Sequence, residues 1–280
     1  MKLAQKIAVN YLRAKLNVVA LISRKKAAAL AFELFCTPMR RAKKKKPPIF
    51  HKAEKVQLKI DGLTIMGHRW NASQEKKCLI VHGFESTSYN FDRYISQLIK
   101  KGYEVLAFDG PAHGKSDGKQ ITLPLYVATI GKIYEKFGPV HAYIAHSFGG
   151  LALTHFLETL STENAKVVLI APATETTTAI DSFFKFLHLD GEIRKDFDEL
   201  IFKKGGKHPG EYSIRRAMHH INASILWIHD EEDEMTPLSD ALKIRDDSHQ
   251  NIEFMITKGF GHRRIYRENQ VMKKILDFLS

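Results

Sequence analysis

The sequence predicts an α/β fold built on a mostly parallel central sheet. Short apolar runs that suit buried strands alternate with helical segments, and this alternation is typical of βαβ crossovers. Residues that could carry chemistry follow several of these strands, at the sheet edge where parallel sheets bind their ligands. Near the start, Lys55–Ile60 and Leu63–Trp70 flank Asp61-Gly62, which predicts an antiparallel hairpin at one edge of the sheet.

Composition places the chain among globular proteins and locates its charge. The 280 residues are 44% hydrophobic, enough for one substantial core. The net charge of +12 belongs to residues 1–46, which hold 13 of the 43 Lys and Arg residues but one acid, Glu33. The remaining residues carry 30 basic and 30 acidic side chains. No aromatic residues are interleaved with the lysines of this basic segment, so we expect no nucleic-acid partner.

Cysteine and histidine spacing indicates neither a metal site nor a disulfide framework. The two cysteines, Cys36 and Cys78, form no CxxC pair, and the 14 histidines include no HExxH motif. We therefore expect no metal and no cofactor. Such sparse cysteine is consistent with a reducing compartment and favours a cytoplasmic protein, with a peripheral position at the membrane as the alternative.

Residues 1–50 are predicted to form a basic helical N-terminal arm and linker. Apolar residues recur there at helical spacing, at Leu3, Ile7, Tyr11, Val18, Leu21 and Ile22. A second helical run, Ala27–Phe35, leads to the charged and proline-containing linker Arg40–Pro48. Charged residues interrupt the first helix too often for a membrane span. Two interpretations remain open: residues 1–46 bind an anionic membrane surface, or they pack on protein, including self-association.

Residues 51–280 are predicted to form a core domain with helices on both faces of the sheet. The expected strands after the hairpin are Cys78–Gly83, Tyr103–Phe108, Ala142–Ala145, Lys166–Ala173, Ser224–Ile228 and Ile252–Ile256. The expected helices between and after them are Phe91–Lys101, Leu123–Phe137, Phe148–Leu160, Leu238–Asp246 and Arg264–Leu279. An insertion at about residues 174–222 lacks strand signals but is rich in phenylalanine. Because long insertions at the working edge of a sheet are usually functional, we expect a short helical lid there.

The stretch His141–Gly150 predicts a nucleophile elbow. Ser147 lies between a short strand and a helix, with Ala145 two residues before it and Gly149 two residues after. Small residues are required at both flanks because the strand-to-helix turn is too sharp for larger ones. Ala145 stands where glycine is usual, so the motif indicates a catalytic serine only together with a suitably ordered acid and base.

Those partners are present, and residues 51–280 resemble the α/β-hydrolases, in particular serine esterases and lipases of the monoglyceride-lipase type. The resemblance is carried by His82-Gly83-Phe84, Asp109–Ser116, Ala145–Gly149, His229–Pro237 and Gly259–His262. It implies the α/β-hydrolase fold, with Ser147 as nucleophile, Asp233 as the acid of the triad and His262 as the base. An acidic run surrounds Asp233, and Asp230 is the alternative acid. Asp109–Ser116 resembles a glycine-containing loop of this family. One interpretation is phosphate binding, and the favoured one, since the loop follows a strand in a hydrolase context, is a structural turn beside the site.

The same resemblance implies how a substrate would be held. The backbone amides of Phe84 and Phe148 would form the oxyanion hole, and His82, Phe183, Phe184 and Phe186 are candidates for the substrate pocket. The implied function is cleavage of a small ester with an apolar short-to-medium acyl or alcohol part, through an acyl-enzyme. Thioester, amide and C–C bond cleavage stay open. The alternative function is a non-catalytic binding module that the N-terminal arm docks to a membrane or partner.

Overall fold

The computed structural model describes residues 3–41 and 44–280. Residues 1, 2, 42 and 43 of the predicted arm lie outside the described residues. The chain divides into two compact units. One, here called the helical unit, holds the chain up to Thr37 together with Glu175–Ser213. The other, the sheet unit, holds Pro38–Thr174 and Ile214–Ser280.

The sheet unit is built on one eight-stranded sheet. Its strands are β1 (Glu54–Ile60), β2 (Leu63–Trp70), β3 (Lys77–Val81), β4 (Glu104–Phe108), β5 (Ala142–His146), β6 (Lys166–Ile170), β7 (Ser224–Asp230) and β8 (Ile252–Thr257). Their order is β1-β2-β4-β3-β5-β6-β7-β8. The strand β2 runs antiparallel to both of its neighbours, and every other pairing is parallel. The predicted fold class is confirmed, including the antiparallel hairpin at one edge.

Helices cover the two faces of this sheet. They are α3 (Asp92–Lys100), α4 (Leu123–Phe137), α5 (Phe148–Leu157), α8 (Ile214–Met218), α9 (Leu238–Asp246), α10 (Gly261–Arg264) and α11 (Asn269–Phe278). Alternate residues of a strand point to opposite faces. Ile80 and Ile144 belong to the core cluster that α3 and α11 complete, whereas α5 contacts β3 and β5 and packs with α4. Both faces are therefore buried, and this explains why the central strands are apolar without interruption.

The local sequence of α4 shows how such a helix is delimited. Its N-cap is Thr122, whose hydroxyl accepts a hydrogen bond from the Leu125 N–H. Pro124 lies in the first turn, where a missing N–H costs nothing. Gly138 ends the helix.

The helical unit contains α1 (Leu3–Ile22), α2 (Arg24–Cys36), α6 (Thr176–Leu187) and α7 (Gly191–Gly205). The hydroxyl of Ser23 and the carboxylate of Asp190 cap α2 and α7 respectively. The arm helix α2 packs against α7 of the insertion. An aromatic cluster joins these two helices to α6: Phe32 and Phe35 come from α2, Phe197 from α7, and Phe183 and Phe184 from α6.

The division of the insertion differs from the expected range. Its helical part ends at Ser213, and the short helix α8 that follows belongs to the sheet unit. The sequence shows no boundary there because α8, like the insertion before it, carries no strand signal. Within residues 3–41 and 44–280, no helix combines the length and apolar character that crossing a bilayer requires.

The linker after α2 is fastened to the sheet unit. The Arg41 guanidinium donates to the carbonyls of Gly114, Ser116 and Gly118, the last two at 2.7 Å. The Lys44 ammonium donates to the Asp92 carboxylate at 2.9 Å. Part of the positive charge of this linker therefore serves to anchor it.

Candidate active site

Ser147 occupies a sharp turn between β5 and α5. Its backbone has φ 56° and ψ −128°, a conformation that costs a non-glycine residue on the order of 1–3 kcal/mol. The turn is held by the Ser147 N–H, which donates to the Ile170 carbonyl at 3.1 Å. A Cβ atom at Gly149 would lie 2.4 Å from the His82 carbonyl oxygen, so only glycine fits there. The predicted elbow geometry is present.

The side chains of Ser147, His262 and Asp233 form one hydrogen-bonded row. His262 Nε2 lies 2.9 Å from Ser147 Oγ, and His262 Nδ1 lies 2.8 Å from Asp233 Oδ2. A carboxylate can only accept, so Nδ1 carries the proton and Nε2 accepts from the serine hydroxyl. The three residues follow β5, β8 and β7, whose carboxyl ends share one edge of the sheet. All three are buried.

Asp233 is held ionised by its hydrogen bonds. Burial opposes ionisation, but hydrogen bonds from His262 and from the N–H groups of Thr236 and Met235 outweigh it and keep the Asp233 pKa below its ordinary value. The Thr236 hydroxyl lies 2.9 Å from Asp233 Oδ2 and 3.1 Å from His262 Nδ1. Sequence analysis missed Thr236; its place three residues after an aspartate, where side chain-to-backbone turns form, is the signal that could have found it.

Asp230, the alternative acid, has a different position. Its carboxylate accepts from the N–H groups of Phe260 and Gly261 and from the Thr257 hydroxyl, at 2.7–3.1 Å. It therefore organises the loop that carries His262 and does not contact the imidazole. Burial opposes its ionisation, but these hydrogen bonds lower the Asp230 pKa.

His146, which precedes the serine, positions the backbone of His262. Its Nε2 lies 3.0 Å from the His262 carbonyl oxygen, so Nε2–H donates, and the two rings are 4.7 Å apart. Burial, and secondly the neighbouring His262, lower the His146 pKa to about 3. The ring is therefore neutral at physiological pH. Sequence analysis gave His146 no role, and a histidine inside an apolar strand gives little signal.

The loop after β3 brings Gly83 and Phe84 beside the serine. A Cβ atom at Gly83 would lie 2.8 Å from Ser147 Cβ. The rings of Phe84 and Phe148 pack edge to face, 6.2 Å apart. The backbone N–H groups of both phenylalanines find no hydrogen-bond acceptor among the residues that the structure describes. Two N–H groups close to Ser147 in the chain or in space are thus without an acceptor in the described part of the protein.

Two buried histidines hold this loop in place. His113 Nε2 accepts from the Glu85 N–H at 2.9 Å, and its Nδ1–H donates to the Pro111 carbonyl. Burial, and secondly the nearby His82, lower the His113 pKa to about 3, which keeps the ring neutral. His82 was predicted to line the substrate pocket. In the structure it is buried, and both of its nitrogens are used by backbone groups, those of Gly83 and Gly110. That His82 lines the pocket stays a prediction.

The loop Asp109–Ser116 is filled by its own carboxylate. Asp109 Oδ1 accepts from the Thr87 hydroxyl and from the N–H and hydroxyl of Ser88, and Oδ2 accepts from the Lys115 N–H. A buried carboxylate that takes these donors would repel a phosphate. This favours the structural turn that the sequence predicts.

The phenylalanines predicted for the pocket lie in the helical unit. Phe183 and Phe184 belong to its aromatic cluster, and Phe186 is 47% exposed. That they line a pocket at Ser147 stays a prediction. In the described part of the chain, no three His, Cys, Asp or Glu side chains are grouped so that they could hold a metal ion.

Comparison with known proteins agrees with this architecture. A family model described as serine aminopeptidase S33 (Hydrolase_4) matches residues 72–196. No curated protein matches the sequence closely enough to count as a relative. An esterase from Pyrococcus furiosus has a similar structure, with a TM-score of 0.64 at 20% identity over 87% of this chain and 97% of the other.

Two further structures share the fold. The mouse α/β hydrolase domain-containing protein 10 has a TM-score of 0.61 at 17% identity, covering 81% of this chain and 97% of its own. Est1E from Butyrivibrio proteoclasticus, solved with ferulic acid bound, has a TM-score of 0.61 at 17% identity, covering 80% and 97%. At such low identity these likenesses establish the fold alone.

Proposed function

We propose that this chain, which has the α/β-hydrolase fold, is a serine hydrolase that cleaves carboxylic esters through an acyl-enzyme. The observation that carries the proposal is the hydrogen-bonded row of Ser147, His262 and Asp233. A serine is a weak nucleophile unless a base removes its proton during attack, and a histidine oriented by a carboxylate provides that base.

The proposed reaction gives each group of the row a distinct role. Ser147 Oγ attacks the ester carbonyl carbon while His262 Nε2 takes the hydroxyl proton. Asp233 fixes the tautomer and stabilises the imidazolium. The proton then passes from His262 to the leaving alkoxide, the C–O bond breaks, and the acyl group remains on Ser147. Water, deprotonated by His262, releases the acid by the reverse sequence.

Charge on the carbonyl oxygen would be stabilised by the N–H groups of Phe84 and Phe148. Phe148 follows the serine directly, Phe84 follows Gly83, whose added Cβ would lie 2.8 Å from Ser147 Cβ, and neither N–H has an acceptor among the described residues. Removing one such donor typically costs about 10²–10³ in kcat. Since backbone groups donate, the loop geometry that His113 maintains through Glu85 is important to the reaction.

The proposed substrate is an ester with an apolar short-to-medium acyl or alcohol part. The side chains of Phe84 and Phe148 present aromatic surface beside the nucleophile. Phe183, Phe184 and Phe186 would add to that surface if the insertion acts as a lid.

A fluorophosphonate probe tests the nucleophile. The probe should label the wild type and Ser161→Ala, a change at an exposed serine, but not Ser147→Ala. A panel of p-nitrophenyl esters of increasing acyl length, with matched p-nitroanilides, then ranks bond type and chain length. Labelling of Ser147→Ala would refute the assignment of the nucleophile. Absence of labelling and hydrolysis in the folded wild type would favour the non-catalytic binding module.

A further inference from the structure

The outer face of α1 carries an apolar stripe that the helical unit leaves uncovered. Five large apolar residues of this helix are exposed: Ile7 by 61%, Tyr11 by 65%, Val18 by 57%, Leu21 by 88% and Ile22 by 79%. At 100° per residue they fall within an arc of about 100°. Single exposed apolar side chains are ordinary, but a contiguous stripe of this length marks an interaction surface.

The stripe is held facing outward by contacts on the opposite side of α1. Leu16 is fully buried within the helical unit. The Arg13 guanidinium donates to the Phe186 carbonyl and lies over the Phe186 ring, 5.7 Å from its centroid. These contacts prevent α1 from rotating to bury its stripe against its own unit.

The charged residues of α1 all have one sign. Lys15 flanks the stripe on one side and Lys6 on the other, while Arg13 is turned to the opposite side of the helix. Lys25 and Lys26 follow at the C-terminal end, beside Arg24, which pairs with Glu192 at 3.4 Å. The first acid of the chain is Glu33, beyond both the stripe and this cluster. A second copy docking stripe to stripe would bring the cations of the two α1 helices together, and α1 itself holds no acid to compensate them. Anionic lipid headgroups complement them, and long basic side chains can extend to headgroups while their stems remain on apolar surface.

We propose that the exposed face of α1 is a membrane-docking surface. The helix would lie parallel to the plane of an anionic bilayer, with its stripe in the membrane interface; the stripe consists of Ile7, Tyr11, Val18, Leu21 and Ile22. An apolar face of this width with basic flanks is the arrangement of interfacial helices. Both attractions are needed, because apolar burial supplies the affinity and the lysines and arginines select anionic lipid. The proposal does not depend on the hydrolase reaction, since it concerns α1 alone.

Vesicle flotation of the full chain tests the proposal. We expect the protein to float with vesicles that contain phosphatidylserine, less with pure phosphatidylcholine, and less again as salt is added. The triple variant Ile7→Gln, Val18→Gln, Leu21→Gln should bind phosphatidylserine vesicles about tenfold or more weakly. Glutamine has nearly the helix propensity of leucine, so α1 should remain helical.

The matched control is Asn10→Gln with Asn17→Gln, which changes two exposed residues of α1 outside the stripe. It should bind like the wild type. If circular dichroism shows that the triple variant is unfolded, the single variant Leu21→Gln, at the most exposed position, replaces it in the flotation assay. Hydrolysis of a soluble ester should be unchanged in these variants.

Three results would overturn the proposal. The first is a wild type that does not float with anionic vesicles. The second is a folded triple variant that floats like the wild type. The third is a wild type that dimerises at micromolar concentration while the triple variant stays monomeric, which would show that a second copy covers the stripe.

Discussion

The two aspartates near His262 should respond in opposite ways to the same isosteric change. In Asp233→Asn the amide oxygen must remain at the Oδ1 position, because Oδ1 accepts from the N–H groups of Met235 and Thr236 at 2.9 and 2.8 Å. The amide NH₂ then faces His262 Nδ1. That nitrogen must become an acceptor, which moves the ring proton to Nε2, where it can no longer accept from Ser147. No buried group is left unpaired, because the Thr236 hydroxyl can donate to the Ala171 carbonyl instead.

In Asp230→Asn, no orientation of the new amide satisfies every hydrogen-bonding group around it. Each Asp230 oxygen accepts from at least one backbone N–H: Glu232 and Gly261 at Oδ1, and Phe260 at Oδ2. Any orientation of the amide places NH₂ against a backbone donor. One unpaired buried N–H costs about 1–3 kcal/mol, and loss of the charge weakens the remaining bonds, so we expect a total of about 2–5 kcal/mol. For a unit of this size that lowers the apparent Tm by about 5–15 °C.

Thermal unfolding and ester hydrolysis, measured on both variants, separate the two roles. Asp233→Asn should lose about 10³–10⁴ in kcat with the Tm within a few degrees of wild type. Asp230→Asn should have a lower Tm. At temperatures where it is still folded, its kcat should fall less than about 100-fold, because the loop that carries His262 is displaced. The opposite pattern, a stable but inactive Asp230→Asn beside an active Asp233→Asn, would refute the reasoning.

Three further predictions follow from the buried groups around the site. His113→Phe leaves the Glu85 N–H without an acceptor and should lower kcat about 10–100-fold with little change in KM. The control His113→Gln can accept that hydrogen bond again and should retain more activity. Equal kinetics for the two variants would contradict the role of this hydrogen bond. Gly149→Ala should prevent the elbow from forming, which would be measured as a lower Tm and as loss of labelling by the fluorophosphonate probe. The control Gly131→Ala in α4 should be tolerated, because its new Cβ would lie 3.6 Å from Phe156 in ordinary contact. Burial lowers the pKa of His113 and His146 to about 3 and that of His68 to about 4, so as the pH falls below 6.5 these three histidines become protonated in the unfolded chain but not in the folded one. The free energy of unfolding should therefore drop by about 1.4 kcal/mol for each histidine and each pH unit between pH 6.5 and 4. A Tm that is unchanged from pH 7 to pH 5 would exclude this destabilisation.

Much of the sheet unit could be predicted because its signals are local. The strand predicted at Ala142–Ala145 is β5, Ala142–His146, and the helix predicted at Leu123–Phe137 has the observed bounds. Ser147, Asp233 and His262 were identified from their motifs, and the row they form requires only that the strands be adjacent and parallel. Adjacent carboxyl ends then bring together residues that lie far apart in the sequence.

What the sequence does not reveal depends on partners that are distant along the chain. The sequence left open whether the arm packs on protein; the structure shows α2 packed against α7, through rings such as Phe32 and Phe197. An apolar stripe indicates that a face is buried but does not identify its neighbour. The hydrogen bonding of His82 was hidden for the same reason, since its ring accepts a hydrogen bond from the Gly110 N–H, which belongs to another loop.

The pairing of α2 with α7 also has a consequence during synthesis. Roughly 140 residues separate the end of α2 from the start of the insertion helices, so at about 5–20 residues per second a ribosome needs about 7 to 28 s to deliver the second half of this interface. Throughout that interval Phe32 and Phe35 lack their native neighbours. We therefore expect these rings to be accessible to chaperones while the chain is synthesised, and slower translation before residue 176 would lengthen that period.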